Sequence, residues 1–163
     1  MAERRAAFRI GTSGYMYDGW RGVLYPARLP KRAWLGHYAE HFDTVEINNT
    51  FYHLPPPETF RSWREQVPPG FCFALKFSRF GSHLKKLTGA EQTVPLFLGR
   101  AELLGESLGP ILVQLPPRWR VNRDRLAAFL GQAGRRHRWA FEFRDPSWLC
   151  EPVFELLEAH GAA

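Results

Sequence analysis

Five short segments with strand character recur along this 163-residue chain, and neighbouring segments are separated by enough residues to form a helix. The segments are IGTSG (10–14), TVEIN (44–48), FCFALKF (71–77), ILVQLPP (111–117) and WAFEFRD (139–145). Strands joined by a dozen or more residues can pair in parallel through a right-handed crossover, which is usually an α-helix. This alternation predicts an α/β fold of about five βα units around a parallel sheet.

The connecting segments carry helical signals. Helices are predicted at 30–42, 58–66, about 94–104, 122–134 and 151–161. Asn122 is a favourable N-cap for the fourth helix, and Gly161 is a typical stop for the last one.

The chain ends at Ala162 and Ala163, where the alternation predicts another strand. A closed barrel of eight such units typically needs ~250 residues. We therefore expect residues 1–163 to form a single domain, a TIM-type β/α barrel that is incomplete and truncated at the C-terminus. Its first and fifth strands would carry open edges, through which chains can associate.

Composition narrows the class of protein. With 45% hydrophobic residues the chain can bury a sizeable core. The basic N-terminal segment MAERRAAFRI has no apolar run of the kind a secretory signal needs, and no stretch reaches the ~18 apolar residues of a membrane span. We expect a cytoplasmic protein with no membrane partner.

Cys72 and Cys150 have no metal-ligand spacing, so two reduced thiols are predicted.

The formal net charge of +6 raises the question of a nucleic-acid partner. Most arginines are scattered, apart from two groups, Arg118/Arg120/Arg123/Arg125 and Arg135/Arg136/Arg138. This distribution favours an ordinary solvated surface over a phosphate-binding stripe, although nucleic acid stays a candidate partner.

Alternate side chains of a strand point to opposite faces, so each predicted strand can be divided by parity. One parity is uniformly apolar, as in Val45 and Ile47. The other parity carries the polar residues Glu46, Asn48, Lys76, Gln114, Glu142 and Arg144. In a β/α barrel the face against the helices must be apolar, so the polar parity should face the barrel axis, near the strand ends where active sites lie.

Two interpretations of these polar residues stay open. They can form a ligand-binding or catalytic site, which we favour. Alternatively, a buried network that includes a Glu46–Lys76 ion pair can simply fill the barrel axis, although unpaired buried charges are costly.

Other candidates follow the strand ends. Tyr15, Trp20, Tyr52 and Trp148 can stack on a ligand or pack over the barrel mouth. His83 is a candidate ligand-binding residue, and a loop histidine can also act as a general base. No metal site and no cofactor are evident, and neither a nucleophile elbow nor a nucleotide-binding glycine motif is present.

Several long blocks of the sequence resemble the YecE-like family, known as domain-of-unknown-function family 72. They are IGTSGYMYDGW, YAEHFDTVEINNTFYHLPPPETFRSW, PPGFCFALKFSR, LGPILVQLPP and WAFEFRDPSW. The resemblance runs from about Ile10 to the end of the chain, with Tyr15 where a tryptophan is common. It implies a TIM-type β/α barrel with further strands, and no catalytic residues can be transferred from it.

These observations predict an enzyme that acts on a small polar or anionic substrate at the C-terminal barrel mouth. Glu46 or Glu142 would be the general acid or base, and Lys76 and Arg144 would bind an anion or shift a carboxylate pKa. Asn48 and Gln114 would orient the ligand. A hydrolase, a lyase and an isomerase all fit this chemistry. The alternatives are a nucleic-acid-binding or processing protein and a noncatalytic interaction domain.

Overall fold

The computed structural model describes residues 8–163 as one five-stranded sheet with the strand order β1-β2-β3-β4-β5. Every neighbouring pair of strands is parallel. The strands are β1 (Gly11–Ser13), β2 (Thr44–Ile47), β3 (Cys72–Lys76), β4 (Leu108–Gln114) and β5 (Trp139–Glu142). The predicted α/β class and the parallel order are confirmed, and the sheet is open in the described part of the chain.

Six α-helices connect or flank the strands. They are α1 (Trp34–Ala39), α2 (Asn49–Tyr52), α3 (Pro57–Glu65), α4 (Ala90–Ala101), α5 (Arg123–Ala133) and α6 (Glu151–His160). Asn122 caps α5 as predicted, because its side-chain oxygen accepts a hydrogen bond from the Arg125 backbone N–H at 3.0 Å. Gly161 ends α6 in the left-handed conformation, with φ of 67°.

On β2 and β3 the burial of the side chains follows the predicted parity. Val45 and Ile47 are buried, whereas Glu46 between them is half-buried. The same alternation places Leu75 in the core and leaves Lys76 half-buried. One face of the sheet therefore packs against the helices, and the polar residues lie on the other face.

Aromatic side chains dominate the core between sheet and helices. The Phe77 ring lies 5.1 Å from the ring of Phe97, 5.3 Å from Phe129 and 5.9 Å from Trp139, measured between ring centroids. Because these residues come from three different elements and the end of β3, their packing fixes α4 and α5 against the sheet.

Some segments differ from the sequence-based prediction. Strand β4 begins at Leu108, three residues earlier than expected, and the predicted long loop after β3 contains a π-helical turn, Phe80–Leu84. The short helix α2 was not predicted. Its segment follows β2 directly, where the sequence shows turn-forming residues but too few apolar positions for a helical pattern.

The end of the chain pairs with β5. The Phe141 N–H donates to the Ala163 carbonyl at 2.7 Å, and the Ala163 N–H donates to the Trp139 carbonyl at 3.0 Å. This is the hydrogen-bond pattern of a parallel ladder, at the position where the alternation predicts a further strand.

None of the helices within residues 8–163 has both the length and the apolar composition that a membrane span requires. The first seven residues, which belong to the basic segment considered above for a secretory signal, lie outside the described range.

Candidate functional site

A first polar cluster lies at the ends of β1 and β2 and comprises Ser13, Glu46 and Asn48; we call it the β1–β2 cluster. The Ser13 hydroxyl donates to Glu46 Oε1 at 3.2 Å, and Asn48 Nδ2 donates to Ser13 Oγ at 2.6 Å. Ser13 and Glu46 are paired in the parallel register, which brings their side chains to the same face. Two predicted site residues, Glu46 and Asn48, thus meet through a serine on the neighbouring strand.

A second group forms around Glu142 at the end of β5. Gln114 Nε2 donates to Glu142 Oε2 at 2.7 Å, and Arg144 Nε donates to Glu142 Oε1 at 2.9 Å. Burial by itself would raise the pKa of Glu142. The hydrogen bonds from Gln114 and Arg144, with the charges of Arg144 and Lys76, outweigh burial and hold that pKa below its usual value of 4.5. Glu142 is therefore an ionised acceptor near neutral pH.

Lys76 lies beside this group at the end of β3. Its ammonium sits 5.0 Å from the centroid of the Phe51 ring, within the range of a cation–π contact. The Phe51 ring also meets Tyr52 at 5.1 Å and His83 at 5.0 Å, both edge to face. Phe51 therefore contacts three predicted site residues, Lys76, Tyr52 and His83. Tyr52 is the most exposed of them, at 73%.

The imidazole of His83, in the π-helical turn, is positioned by a contact with Ser82. Ser82 Oγ donates its single proton to the Ser78 carbonyl at 2.9 Å and lies 3.0 Å from His83 Nδ1. When the serine proton goes to the Ser78 carbonyl, Nδ1 of the neutral imidazole is the donor in this contact and the proton-accepting lone pair lies on Nε2.

The surroundings of His83 favour its neutral form. Burial is the largest cause that lowers its pKa below 6.5, and the positive charges of Arg79, Lys76 and Arg144 lower it further. The negative charge of Glu142 opposes them without reversing the shift. We call Lys76, Arg79, His83, Glu142 and Arg144 the β3–β5 cluster.

The β3–β5 cluster carries more positive than negative charge. It contains three cationic side chains against one carboxylate. No carboxylate among residues 8–163 lies within 4.0 Å of the Lys76 ammonium or the Arg79 guanidinium. The Glu46–Lys76 ion pair that would fill the barrel axis is therefore not formed, and the polar residues divide into two clusters.

Backbone strain follows directly after the π-helical turn. Lys86 and Leu87 both have positive φ, 47° and 65°. Such angles are unfavourable for residues with a side chain. They persist here because Leu87 is buried and its N–H donates to the Gly81 carbonyl at 2.9 Å. Strain of this kind is concentrated at functional sites. It therefore supports the hypothesis that the segment carrying His83 is functional.

The remaining aromatic candidates, Tyr15, Trp20 and Trp148, lie in three different environments. Tyr15 lines a cavity of about 230 Å³ together with Asn48 and Trp63, next to the β1–β2 cluster. Trp20 is half-buried and lies 4.8 Å from the Tyr17 ring, between centroids.

Trp148 is fully buried. Its ring stacks on Phe143 at 5.2 Å, and its Nε1 donates to the Trp119 carbonyl at 2.6 Å. The structure therefore gives Trp148 a packing position beneath the loop after β5, where it presents no surface to a ligand.

Sequence reasoning missed Arg79 and the Ser78–Ser82 contacts. Arg79 lies in a predicted loop, outside the parity argument, which applies only to strands. The one signal in the sequence was the clustering of Ser78, Arg79, Ser82 and His83 directly after a strand that ends in Lys76, because the carboxyl ends of parallel strands are where barrel sites form.

Comparisons with known proteins agree with this architecture. The family model described as "Protein of unknown function DUF72" matches residues 9–163. The chain is 42% identical over 82 residues to the UPF0759 protein YecE of Escherichia coli K12, covering 50% of the chain and 30% of YecE. It is 24% identical to the UPF0759 protein YunF of Bacillus subtilis 168, covering 93% of the chain and 57% of YunF.

A solved DUF72 family protein from Thermotoga maritima MSB8 superposes with a TM-score of 0.77 at 30% identity, covering 94% of this chain and 62% of that one. A second, from Enterococcus faecalis V583, has a TM-score of 0.66 at 24% identity and shares the fold, with 78% of this chain covered. The chain spans 57% or less of the curated relatives it matches.

Proposed function

The chain belongs to the DUF72 family of proteins of unknown function, and we propose that it acts on a small anionic substrate at the β3–β5 cluster by general acid/base chemistry. The observation that carries the proposal is the neutral imidazole of His83, whose Nδ1 is occupied by Ser82, among three cationic side chains. A hydrolase, a lyase and an isomerase remain the reaction classes that fit this chemistry.

The excess positive charge supports an anionic substrate. Lys76 and Arg79 have no carboxylate within 4.0 Å among residues 8–163, so an anion can approach them without displacing an existing ion pair. Arg144 can contact the same anion while Glu142 holds its Nε, because a guanidinium has five N–H donors. A carboxylate or a phosphate group matches these donors.

His83 is the preferred general base of the proposal. A base must be unprotonated at the working pH, and a lowered pKa keeps the Nε2 lone pair available. The substrate's own charge would raise that pKa on binding, which brings the imidazole closer to the pKa range in which proton transfer is efficient. His83 Nε2 would take the proton and later return it.

The two carboxylates receive different roles. Glu142 is engaged on both oxygens, and its lowered pKa makes it a poor proton donor, so we assign it the positioning of Arg144 and Gln114. Glu46 accepts one bond from Ser13 in the separate β1–β2 cluster, so we assign it no part in the proton transfer at the β3–β5 cluster.

Sulfate binding tests the substrate class before a substrate is known. We expect saturable sulfate binding, followed by NMR, that shifts the His83 resonances and weakens in Lys76→Gln and in Arg144→Gln. Lys31→Gln and Arg61→Gln remove exposed cations from other elements and should leave the affinity unchanged. Unsaturable shifts, or equal weakening in all four variants, would refute a specific anion site.

Turnover tests the chemistry. In a screen of small carboxylates and phosphate esters, activity should be absent from His83→Gln and present in Lys31→Gln. If His83→Gln keeps full activity on a substrate that Lys76→Gln cannot turn over, His83 is not the base.

A further inference from the structure

Three potential metal ligands lie together on the surface at the end of α1. His37, Glu40 and His41 each offer one ligand atom, and these atoms all lie within 4.8 Å of one another. Their spacing of three and four residues places them on one side of a helical turn. His37 is half-buried, whereas Glu40 and His41 are exposed.

His37 is already oriented as a ligand. Its Nε2 lies 2.9 Å from the Leu24 carbonyl, which can only accept, so Nε2 carries the proton. The neutral ring then has its lone pair on Nδ1, and Nδ1 faces Glu40 Oε2 at 3.4 Å. A ring N–H bonded to a backbone carbonyl is the usual support of a metal-bound histidine, because it fixes both tautomer and ring orientation.

The distances fit a small tetrahedral ion. Zinc ligands about 2.0–2.2 Å from the metal lie roughly 3.4 Å from one another in a tetrahedral site. The Nδ1 to Oε2 distance has this value before any ion is present. The His41 ring, whose centroid lies 5.0 Å from that of His37, is exposed and can close the remaining gap by rotation.

We propose that His37, Glu40 and His41 bind a divalent transition-metal ion, with zinc as the best match. Two imidazoles and one carboxylate are a ligand set suited to Zn²⁺ and unsuited to Mg²⁺ or Ca²⁺, which prefer oxygen. Three protein ligands leave the fourth position to water or to a donor from another molecule. The site precedes β2 and lies at the amino end of the sheet, so it is separate from the β3–β5 cluster and does not rest on the proposed function.

The contact between His37 and Glu40 can also be explained by a proton that the two side chains share. In that explanation His41 has no role in the contact. Isothermal titration of untagged protein with Zn²⁺ distinguishes the two. We expect one Zn²⁺ per chain, undisturbed by excess Mg²⁺, and affinity at least about tenfold lower in His41→Ala and in Glu40→Gln. Both side chains are exposed, so circular dichroism should show a native fold in each variant.

His137→Ala is the matched control, because His137 contacts one carboxylate, Glu102, at 3.0 Å. It should bind Zn²⁺ as the unmodified protein does. Cobalt substitution adds a direct readout, since intense visible absorption reports tetrahedral coordination. The proposal is refuted if the unmodified chain binds no Zn²⁺ stoichiometrically. Binding that His41→Ala leaves intact, or that His137→Ala weakens equally, refutes it too.

Discussion

Single residues set the protonation states at the β3–β5 cluster. His83 is neutral because burial and three nearby cations disfavour its charged form, and Glu142 is ionised because two donors hold it. The charges of Lys76 and Arg144, which the two groups share as neighbours, lower both pKa values. Both groups are therefore deprotonated near neutral pH, His83 as a neutral imidazole that can accept a proton and Glu142 as a carboxylate.

Arg79→Gln should raise the pKa of His83, because the substitution removes one of the positive charges that lower it. The midpoint is measured by NMR titration of the His83 ring protons. Arg61→Gln, an exposed arginine on α3, is the control and should leave the midpoint unchanged. An equal midpoint in Arg79→Gln and in the unmodified protein would show that Arg79 lies too far from the imidazole to influence it.

Glu142→Gln should lower stability at neutral pH and not in acid. The pKa of Glu142 in the folded protein lies below 4.5. The contribution of its carboxylate to the free energy of unfolding is therefore complete above pH 4.5 and is lost as the pH falls through the folded-state pKa. Because the carboxylate is partly exposed, we expect about 1 kcal/mol or less in the free energy of unfolding.

The measurement is denaturant unfolding of both proteins as a function of pH. Glu155→Gln, on the exposed side of α6, should show no such pH-dependent difference. A difference for Glu142→Gln that stays constant into strong acid would contradict the ionic contacts.

At the scale of the elements, strand β3 leaves no room for a side chain at Gly109 of β4. A Cβ built there would lie 2.4 Å from Cys72 Sγ and 2.7 Å from the Phe73 carbonyl oxygen. The register of the two strands also shifts between Phe73 and Leu75. A glycine at this point therefore permits the backbone contact that precedes the pairing of Lys76 with Leu112 of β4.

Gly109→Ala should destabilise the fold by about 1–3 kcal/mol, the usual cost of overpacking a buried site. Gly99→Ala is the matched control, since a Cβ there meets nothing within 4 Å and the residue lies inside α4. That control should be neutral or stabilising, because alanine favours helix. Thermal unfolding of both variants distinguishes them, and equal melting temperatures would contradict the close packing.

The backbone strain in the turn after His83 can be relieved by a substitution that leaves the imidazole unchanged. Lys86 is exposed with φ of 47°, so Lys86→Gly removes the steric cost of that angle and should stabilise by about 0.5–1 kcal/mol. Lys85 has φ of −81°, so Lys85→Gly should destabilise instead. Chemical unfolding measures both, and destabilisation by Lys86→Gly would show that no strain is stored there.

The sequence was sufficient to predict the strands and their two faces. Glu46, Lys76 and Glu142 follow from parity alone, because a sheet covered by helices must be apolar on that side. The loop contacts were not predictable in this way. His83 depends on a π-helical turn and on two left-handed residues that are not glycine, and no local pattern specifies either. The spacing of His37, Glu40 and His41 is visible in the sequence, but the Leu24 carbonyl that orients His37 is not.

For the whole molecule, the net charge of +6 complicates any test with anions, because sulfate will accumulate weakly over the entire surface. A specific site must therefore be distinguished from general screening by comparison at equal ionic strength. The same comparison addresses the nucleic-acid alternative, whose affinity would depend steeply on salt.

The pKa of His83 with and without sulfate tests the central claim most directly. Both titrations are followed by NMR on the ring protons of His83, at one ionic strength that is set with chloride. The proposed site predicts a midpoint below 6.5 in chloride and a higher midpoint in sulfate, because a bound anion offsets the charges of Lys76, Arg79 and Arg144. A midpoint that is the same in both salts would contradict an anion site beside a histidine base.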